Sequence, residues 1–215
     1  DGREKEPVVL PGKFPQALVN GNAGIAVGMA SEMVPHNLKE VVDGIIAVLK
    51  DENISIEELM QYIPSPDFPT GGTILGKEGI EKAYKTGRGS LTVRGKAHIE
   101  EIDGGYQIVI TQVPYKVGTD TMVEKIKEVQ QEYDEWKKKN RNQKENRFFV
   151  KQPKKALDFA AKDGVYADFN ENTNEENLRI VVELKKGKNP AVVLNHLYKY
   201  TPLQTTVSIN NTVLI

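Results

Sequence analysis

Hydrophobic residues recur every three or four positions in several stretches of the chain, a spacing that is typical of amphipathic helices. The stretch from Asn37 to Lys50 predicts one such helix, because asparagine is suited to the N-cap position. Ser55 and Glu58 have the spacing of a capping box and predict a second, shorter helix. The apolar face predicted for the first helix consists of Leu38, Val42, Ile45 and Leu49.

Two further helices are predicted in the second half of the chain. A long one begins near Thr119, and a shorter one begins at Asn189 and Pro190 and runs to about Tyr200, since proline is favoured in the first helical turn. The face predicted for the long helix consists of Met122, Ile126, Val129, Tyr133 and Trp136.

Alternation of apolar and polar residues predicts β-strands elsewhere. Residues 90–102 alternate with a period of two and are followed by a turn at Asp103–Gly105 and by the apolar stretch 106–113. These two stretches therefore predict an antiparallel hairpin. Later strands are predicted at "LRIVVEL" and near "TTVSI". Strands interspersed with helices indicate an α+β fold with a mostly antiparallel sheet.

Charged residues are unevenly distributed over residues 132–177. Residues 132–155 contain nine Lys or Arg and four Asp or Glu, whereas residues 163–177 contain five acidic residues and no basic one. Such composition predicts a mobile, charged insertion over about 132–177. The turn-rich "PSPDFPTGG", residues 64–72, is the best candidate for a domain boundary.

Composition excludes several kinds of chemistry. The 215 residues contain no cysteine, which excludes disulfides, thiolate metal sites and cysteine nucleophiles and fits a reducing compartment. Lys and Arg number 29 against 30 Asp and Glu, so any binding of nucleic acid must come from local clusters of charge. No apolar run is long enough to predict a membrane span. The first residues have neither an initiating Met nor a signal-peptide pattern, which suggests an excerpt of a longer polypeptide.

Two motifs have simple structural alternatives. Gly71–Lys77 matches the start of a phosphate-binding loop and raises the hypothesis of a nucleotide-dependent enzyme, but Glu78 replaces the hydroxyl residue that would bind magnesium. We therefore predict a turn, a strand and a helix start there. His36, His98 and His196 lack the spacing of metal ligands, and each is predicted to be a surface or capping residue.

The segment "GNAGIAVGMA", residues 21–30, surrounds Ile25 with glycine and alanine. From the residues alone, Ile25 is more readily interpreted as an ordinary core residue than as a functional one.

Longer blocks of the sequence resemble a known family. The chain is similar to the A subunit of bacterial type IIA DNA topoisomerases, and to the gyrase branch more than to the topoisomerase IV branch. The resemblance covers roughly residues 5–130 and 178–212 and departs from the family pattern in residues 132–177. It is carried by "EPVVLPGKFPQALVNGNAGIAVGMASEMVPHNLKEVVDGIIAVL", "IPSPDFPTGG", "GIEKAYKTGRGSLTVRGKAHIEE" and "VVLNHLYKYTPLQTTVSIN".

The resemblance implies a fold and a reaction. Residues 1–66 would be the C-terminal part of a winged-helix DNA-gate region, and residues 67–215 would be a tower domain. The family passes one duplex through a transient double-strand break in another. Its nucleophilic tyrosine would lie upstream of this chain, which would not be catalytic alone. The chain itself would bind no metal, and Mg²⁺ and ATP would act through the partner subunit.

The resemblance also implies partners and a location. These are double-stranded DNA, a second copy of the A subunit in a homodimer, and the ATPase/TOPRIM B subunit in a heterotetramer, in the cytoplasm at the nucleoid and with no membrane. The alternative that remains open is a stand-alone, non-catalytic module that bends DNA or acts as a scaffold.

Candidate DNA contacts follow by position from the same resemblance. Ile25 would insert between base pairs, with Val27 and Met29 anchoring the loop beneath it. Asn20 and Thr70 would bind phosphates, which fix register without reading sequence. A basic stripe along the bent duplex would be formed by Arg88, Arg94 and Lys96, whose alternative interpretation is solvated surface charge.

Overall fold

The chain divides into two compact units, and each is described by itself. The computed structural model describes residues 5, 7–8, 12–141, 152–168 and 178–212. The first unit comprises Asp1–Pro69, Lys77–Ser90 and Ser208–Ile215, and the second comprises Thr70–Gly76 and Leu91–Val207. The chain therefore leaves the first unit and returns to it twice, whereas the sequence predicted one boundary at 66–67. The identification of winged-helix and tower domains stays a prediction.

The first unit consists of short helices and one β-hairpin. Its elements in chain order are α1 (Gln16–Val19), β1 (Asn22–Ala26), β2 (Met29–Met33), α2 (Leu38–Lys50), α3 (Ile56–Leu59) and α4 (Glu78–Thr86). Its buried hydrophobic side chains include Val34, Val41, Ala47, Phe68, Ile80 and Ala83. None of these core residues belongs to β1 or β2, so the hairpin contributes no side chain to this core.

Helix α2 confirms the predicted cap but corrects the predicted face. The Asn37 side chain accepts hydrogen bonds from the backbone N–H groups of Lys39 and Glu40, as an N-cap does. The helix buries Val41, Gly44 and Ala47 instead of the large apolar residues. Small residues on this side allow close packing, since a Cβ at Gly44 would lie 2.8 Å from the Ile63 side chain. The four residues of the predicted face are exposed: Leu38, Val42, Ile45 and Leu49.

Helix α3 begins as the sequence predicts. The Ser55 hydroxyl accepts a hydrogen bond from the Glu58 N–H, and the Glu58 carboxylate accepts one from the Ser55 N–H, which completes the capping box. The neighbouring Glu57 forms an ion pair with Lys85 of α4 at 2.8 Å. This pair joins two helices of the first unit that are separated by some twenty residues of chain.

His36 connects α1 to α4, and of the two roles that the sequence predicted it has the capping one, because its ring binds a carbonyl at the end of α1. Its Nδ1 lies 2.9 Å from the Leu18 carbonyl oxygen and its Nε2 lies 2.9 Å from the Tyr84 hydroxyl. Because a carbonyl only accepts, Nδ1 carries the proton and Nε2 accepts from Tyr84. The ring is half-buried, and burial lowers the pKa of His36 below its usual value of 6.5.

The second unit is built around a four-stranded antiparallel sheet of order β5-β6-β8-β7. Its elements are β3 (Thr73–Leu75), β5 (Lys96–Ile102), β6 (Gly105–Gln112), α5 (Thr119–Arg141), β7 (Ala160–Ala167), β8 (Ile180–Leu184) and α6 (Pro190–Tyr200). Strands β4 (Arg88–Arg94) and β9 (Gln204–Asn210) have residues in both units. Mixed helix and antiparallel sheet confirm the α+β class. The core includes Ile108, Ile110, Met122, Ile126, Phe159, Val182 and Leu197.

The sequence predicted one strand over residues 90–102, but two strands lie there. Strand β4 pairs with β3, and β5 pairs with β6 through the predicted turn. The break falls at Gly95, where a Cβ would lie 2.5 Å from the Gln112 carbonyl oxygen and 2.8 Å from the Leu203 side chain. The Gly95 N–H donates to the Leu203 carbonyl at 2.8 Å. Close packing at this glycine therefore ends one strand and starts the next.

Much of the charged segment is regular structure rather than a mobile insertion. Helix α5 continues to Arg141, and residues 160–167 form β7, paired with β8. Burial of Phe159, Ala160 and Val165 explains this order, because apolar residues dispersed among charges still reach the core. The remaining parts, residues 142–151 and 169–177, lie outside the described residues.

Gln130 fastens this segment to helix α5. Its side-chain oxygen accepts hydrogen bonds from the backbone N–H groups of Phe159, at 2.9 Å, and Ala160, at 3.1 Å. These two donors lie at the start of β7, next to buried side chains. The side-chain amide of Gln130 thus accepts hydrogen bonds from two backbone N–H groups.

Replacement of Gln130 by alanine is expected to destabilise the second unit by about 1–3 kcal/mol, because two backbone donors lose their acceptor. Urea unfolding followed by the fluorescence of Trp136, the single tryptophan, which lies on α5, measures this change. Gln131→Ala, on the exposed neighbour, is the control and should change the midpoint little. Equal midpoints for the two variants would contradict the role of Gln130.

A pH dependence is expected from His36. Its folded-state pKa is lowered, so the unfolded state binds the proton more readily. Its contribution to stability is therefore complete above about pH 6.5 and declines as the pH falls below that value. An NMR titration of the imidazole in the folded chain should give a midpoint below 6.5. A midpoint at or above 6.5 would show that the ring is not desolvated as described.

Candidate nucleic-acid interface

Strands β1 and β2 form a two-stranded hairpin that carries Ile25. The register pairs Ile25 with Ala30 and Ala26 with Met29, leaving Val27 and Gly28 as the turn. Gly28 has a φ of +83°, a conformation that favours glycine. The glycine of the "AVGM" sequence therefore closes a tight turn directly beyond Ile25.

Ile25 projects into solvent from one face of the hairpin. Residues directly opposite each other in an antiparallel pair share a face, so Ile25 lies beside Ala30. Alternation along the strand places Ala23 on the same face. These methyl groups cover little of the longer side chain, and Ile25 is 96% exposed. The interpretation of Ile25 as an ordinary core residue is therefore wrong.

The family resemblance predicted that Val27 and Met29 anchor the loop from beneath. The structure does not place them there. Val27 is fully exposed at the turn, and Met29 is 51% exposed. The physical reason is the width of the element: among the described residues of the first unit, no second layer covers the tip of this narrow ribbon. The end of the hairpin is consequently an exposed apolar surface.

The other face of the hairpin borders a shallow groove of about 370 Å³. Residues on this face alternate with Ile25 along β1 and are small, namely Gly24 and Ala26. The groove wall is completed by the longer side chains of β2 and by neighbouring segments. Its lining includes Gly24, Ala26, Met29, Met33, Ala17 and Thr212, and also atoms of Ile25 and Ala30. Both faces of the hairpin therefore offer apolar contacts.

The first strand is fixed at its base by backbone packing. Gly21, which precedes β1, has a φ of +72°, and a Cβ there would lie 2.5 Å from the Met33 carbonyl oxygen. Just before it, the Val19 carbonyl accepts a hydrogen bond from the His36 N–H at 3.2 Å. In the sequence, the only sign of this close packing is Gly21 itself, which lies directly before the strand.

The second strand is held by Asn210, which sequence reasoning missed. Glu32 of β2 pairs with Asn210 at the end of β9, and the Asn210 side-chain amide donates to the Ala30 carbonyl. The Asn210 side-chain oxygen accepts from Arg88 Nε at 3.2 Å. No local pattern in the sequence reveals these contacts, because Ala30 and Asn210 lie 180 positions apart.

Two other predicted contacts lie in the same unit as Ile25. Asn20 is exposed at the end of α1, where its N–H donates to the Gln16 carbonyl at 2.8 Å. Arg88 is exposed at the start of β4 and is bound to Asn210 through Nε. A guanidinium has five N–H donors, so four remain beyond that bond. The contacts of both residues with phosphates stay predictions.

The remaining three predicted contacts belong to the second unit. Thr70 and Lys96 are exposed, Thr70 before the Gly71–Gly72 turn and Lys96 at the start of β5. Arg94 is half-buried: its guanidinium donates to the Gln204 side chain at 2.9 and 2.6 Å and lies 4.3 Å from the centre of the Tyr198 ring. Arg94 thus has intramolecular partners that the prediction of a basic stripe did not include.

The phosphate-binding interpretation of Gly71–Lys77 gains nothing from the geometry. Residues 73–75 form β3, and α4 begins at Glu78, so the segment is the predicted turn, strand and helix start. The Gly72 N–H, which a phosphate would need, donates instead to the Gln112 side chain at 2.8 Å.

Metal and membrane features were sought in the part of the chain that the structure describes. Within residues 12–141, 152–168 and 178–212, no three His, Asp or Glu side chains are grouped so that they would hold a metal ion. No helix in these ranges is both long and apolar enough to cross a membrane.

Comparison with known proteins identifies the family. Residues 1–215 match the family model for the A subunit of DNA gyrase/topoisomerase IV. The chain is 45% identical over 210 residues to the DNA gyrase A subunit of Halalkalibacterium halodurans, covering 98% of this chain and 22% of the relative. It is 44% identical over 216 residues to the DNA gyrase A subunits of Staphylococcus epidermidis and Clostridium acetobutylicum, covering all of this chain and 21% and 23% of those relatives.

The chain spans about a fifth of the length of these curated relatives. The family match runs from residue 1 to residue 215, and the expected departure from the family pattern in residues 132–177 stays a prediction. The chain therefore belongs to the family of DNA gyrase/topoisomerase IV A subunits.

Proposed function

We propose that this chain is the DNA-binding and DNA-bending part of the A subunit of a gyrase-type type II DNA topoisomerase. The observation that carries the proposal is the exposed Ile25 on a narrow hairpin, because an apolar side chain with no core around it is suited to enter a base step. Membership in the family supports a DNA substrate. The chain binds the duplex that is to be cut.

Insertion of Ile25 has a cost, the unstacking and bending of the duplex, and a gain, the burial of the isoleucine side chain. Unstacking one base step costs roughly a few kcal/mol and kinks the duplex by about 20–90°. Burial of an isoleucine side chain contributes about 1.5–3 kcal/mol, which offsets much of the unstacking. Smooth bending of the flanking duplex costs about 1–6 kcal/mol more. Contacts with phosphates must supply this second contribution.

The dimensions of the hairpin connect insertion with bending. Two paired strands lie about 5 Å apart from backbone to backbone, whereas the minor groove of straight duplex DNA is about 6 Å wide. A ribbon with side chains therefore enters the minor groove only where that groove is opened. A kink toward the major groove opens it, so the inserted Ile25 and the bent duplex stabilise each other.

Phosphate contacts are assigned to five polar and basic residues of the two units. In the unit that carries Ile25 these are Asn20 and Arg88, and in the second unit they are Thr70, Arg94 and Lys96. The chain as a whole has a net charge of −1, so non-specific attraction to DNA must come from such local contacts. The contact of Arg94 with Gln204 uses two of its five N–H donors, so three remain for a phosphate.

The reaction of the complete enzyme is proposed from the family. It passes one duplex through a transient double-strand break, with a nucleophilic tyrosine that lies outside these 215 residues. Mg²⁺ and ATP act through the partner subunit. The complete enzyme pairs two A subunits with two ATPase/TOPRIM B subunits and works at the nucleoid in the cytoplasm.

Ile25→Ala in the full-length protein is expected to reduce DNA bending while the fold is unchanged. The substitution removes three carbons that become buried when the side chain enters the base step. Their burial contributes about 2 kcal/mol, which corresponds to about a 30-fold lower ratio of bent to straight DNA. Energy transfer between dyes at the two ends of a linear duplex, at saturating protein, measures the ratio.

Val27→Ala is the matched control, since it removes apolar surface from the same hairpin tip without touching the wedge. It should reduce bending much less than Ile25→Ala does. Equal bending by wild type and Ile25→Ala would refute the wedge, and equal losses in the two variants would show a general apolar contact instead.

The stand-alone alternative makes a different prediction about the coding frame. If the chain is part of a topoisomerase, the frame continues upstream and encodes an arginine followed by a tyrosine some tens of residues before Asp1. A start codon close to Asp1 would favour the non-catalytic module.

A further inference from the structure

Asn210 is the meeting point of three segments of the first unit. Its backbone pairs with Glu32 of β2, and its carbonyl oxygen lies 3.5 Å from the Ser31 hydroxyl. Its side-chain N–H donates to the Ala30 carbonyl, and its side-chain oxygen accepts from Arg88 Nε at 3.2 Å and from the Thr212 hydroxyl at 3.1 Å. Donor and acceptor of one amide are thus used at the same time.

Ala30 is the residue directly opposite Ile25 in the hairpin register. A hydrogen bond to the Ala30 carbonyl therefore holds the residue pair that contains Ile25. Within the described residues, Glu32 with Asn210 is the single pair between β2 and β9. Two strands alone are marginally stable in water, so the direction in which the hairpin points depends on these few contacts at its side.

We propose that Asn210 is a positioning residue for Ile25, and that Arg88 orients the Asn210 side chain. An asparagine amide can turn its oxygen and nitrogen either way round. The guanidinium of Arg88 only donates, so it selects the orientation in which the side-chain oxygen faces Arg88 and the N–H group faces Ala30. The inference rests on the proposed function, because positioning matters only if Ile25 is the wedge.

This assignment also gives Arg88 a second role beside phosphate binding. Its Nε donates to Asn210, and the guanidinium has four further N–H donors. A phosphate bound by those donors would hold the guanidinium, and through it the Asn210 amide, in place. The backbone contact and the wedge would then be coupled through one side chain.

Two substitutions at residue 210 separate the parts of this arrangement. Asn210→Asp keeps an oxygen acceptor for Arg88 but replaces the donor to Ala30 with a second oxygen, which repels the carbonyl. Asn210→Ala removes both contacts and adds no charge, so it controls for repulsion between the aspartate and DNA. Asn211→Ala is the matched control: residue 211 is exposed, and its N–H bond to the Gly87 carbonyl survives the substitution.

The first measurement is made on the full-length protein without DNA. Hydrogen exchange of the amides in residues 22–33 should become about three- to tenfold faster in both Asn210 variants, as the loss of one hydrogen bond implies. Exchange in α4 and the melting temperature should stay as in wild type, and Asn211→Ala should change nothing. A uniform rise in exchange across the first unit would overturn the proposal, since it would indicate a merely structural role.

The second measurement is the bending of a linear duplex labelled at both ends. Both Asn210 variants should lower the ratio of bent to straight DNA about three- to tenfold, whereas Asn211→Ala should leave it as in wild type. Wild-type bending in both variants would overturn the positioning role. If instead Ile25→Ala itself bends DNA normally, the proposed function fails, and the exchange measurement still decides whether Asn210 fixes the hairpin.

Discussion

The candidate interface depends on one constraint: a two-stranded hairpin has no interior of its own. Residues 22–30 are all exposed, so the hydrophobic effect that fixes most elements does not fix this one. Its direction is set by polar and steric contacts, since Gly21 admits the Met33 carbonyl at the base of the first strand and Asn210 binds Ala30 at the side of the second. The chain thereby presents an isoleucine that water, and not protein, surrounds.

The second unit follows the opposite principle. Strand β6 buries Ile108, Val109 and Ile110 in succession, so both faces of the sheet are covered there. Helix α5 packs Met122 and Ile126 into the same core, and Gln130 satisfies the backbone where β7 begins. The hairpin of the first unit, by contrast, leaves Ile25 and Val27 almost fully exposed, which is typical of surfaces that bind a partner.

Local signals in the sequence predicted the elements well, and long-range packing explains the errors. The caps at Asn37 and Ser55 and the first part of the α5 face, Met122, Ile126 and Val129, were correct because they depend on residues a few positions apart. The face of α2 was wrong because the small residues Gly44 and Ala47, which carry no strong hydrophobic signal, pack inward. Strand β7 was missed because charged neighbours masked its buried residues.

The candidate site divides in the same way. The family resemblance singled out Ile25, and its exposure removes the interpretation as a core residue. The contacts made by Asn210 and the two hydrogen bonds of His36 join residues that are far apart in sequence, so no spacing rule finds them. Arg94 illustrates a related difficulty, since a basic residue on a predicted polar face proved to have Gln204 and Tyr198 as partners.

The distance along the chain between Ala30 and Asn210 has a consequence for biosynthesis. At a rate of about 5–20 residues per second, the partner of the hairpin on β9 leaves the ribosome 180 residues after the hairpin itself. For roughly ten seconds or more the apolar hairpin therefore has two unpaired edges and lacks its hydrogen bond to Asn210. Contacts of such high sequence separation form late in folding, so the hairpin takes its final orientation only after β9 is made.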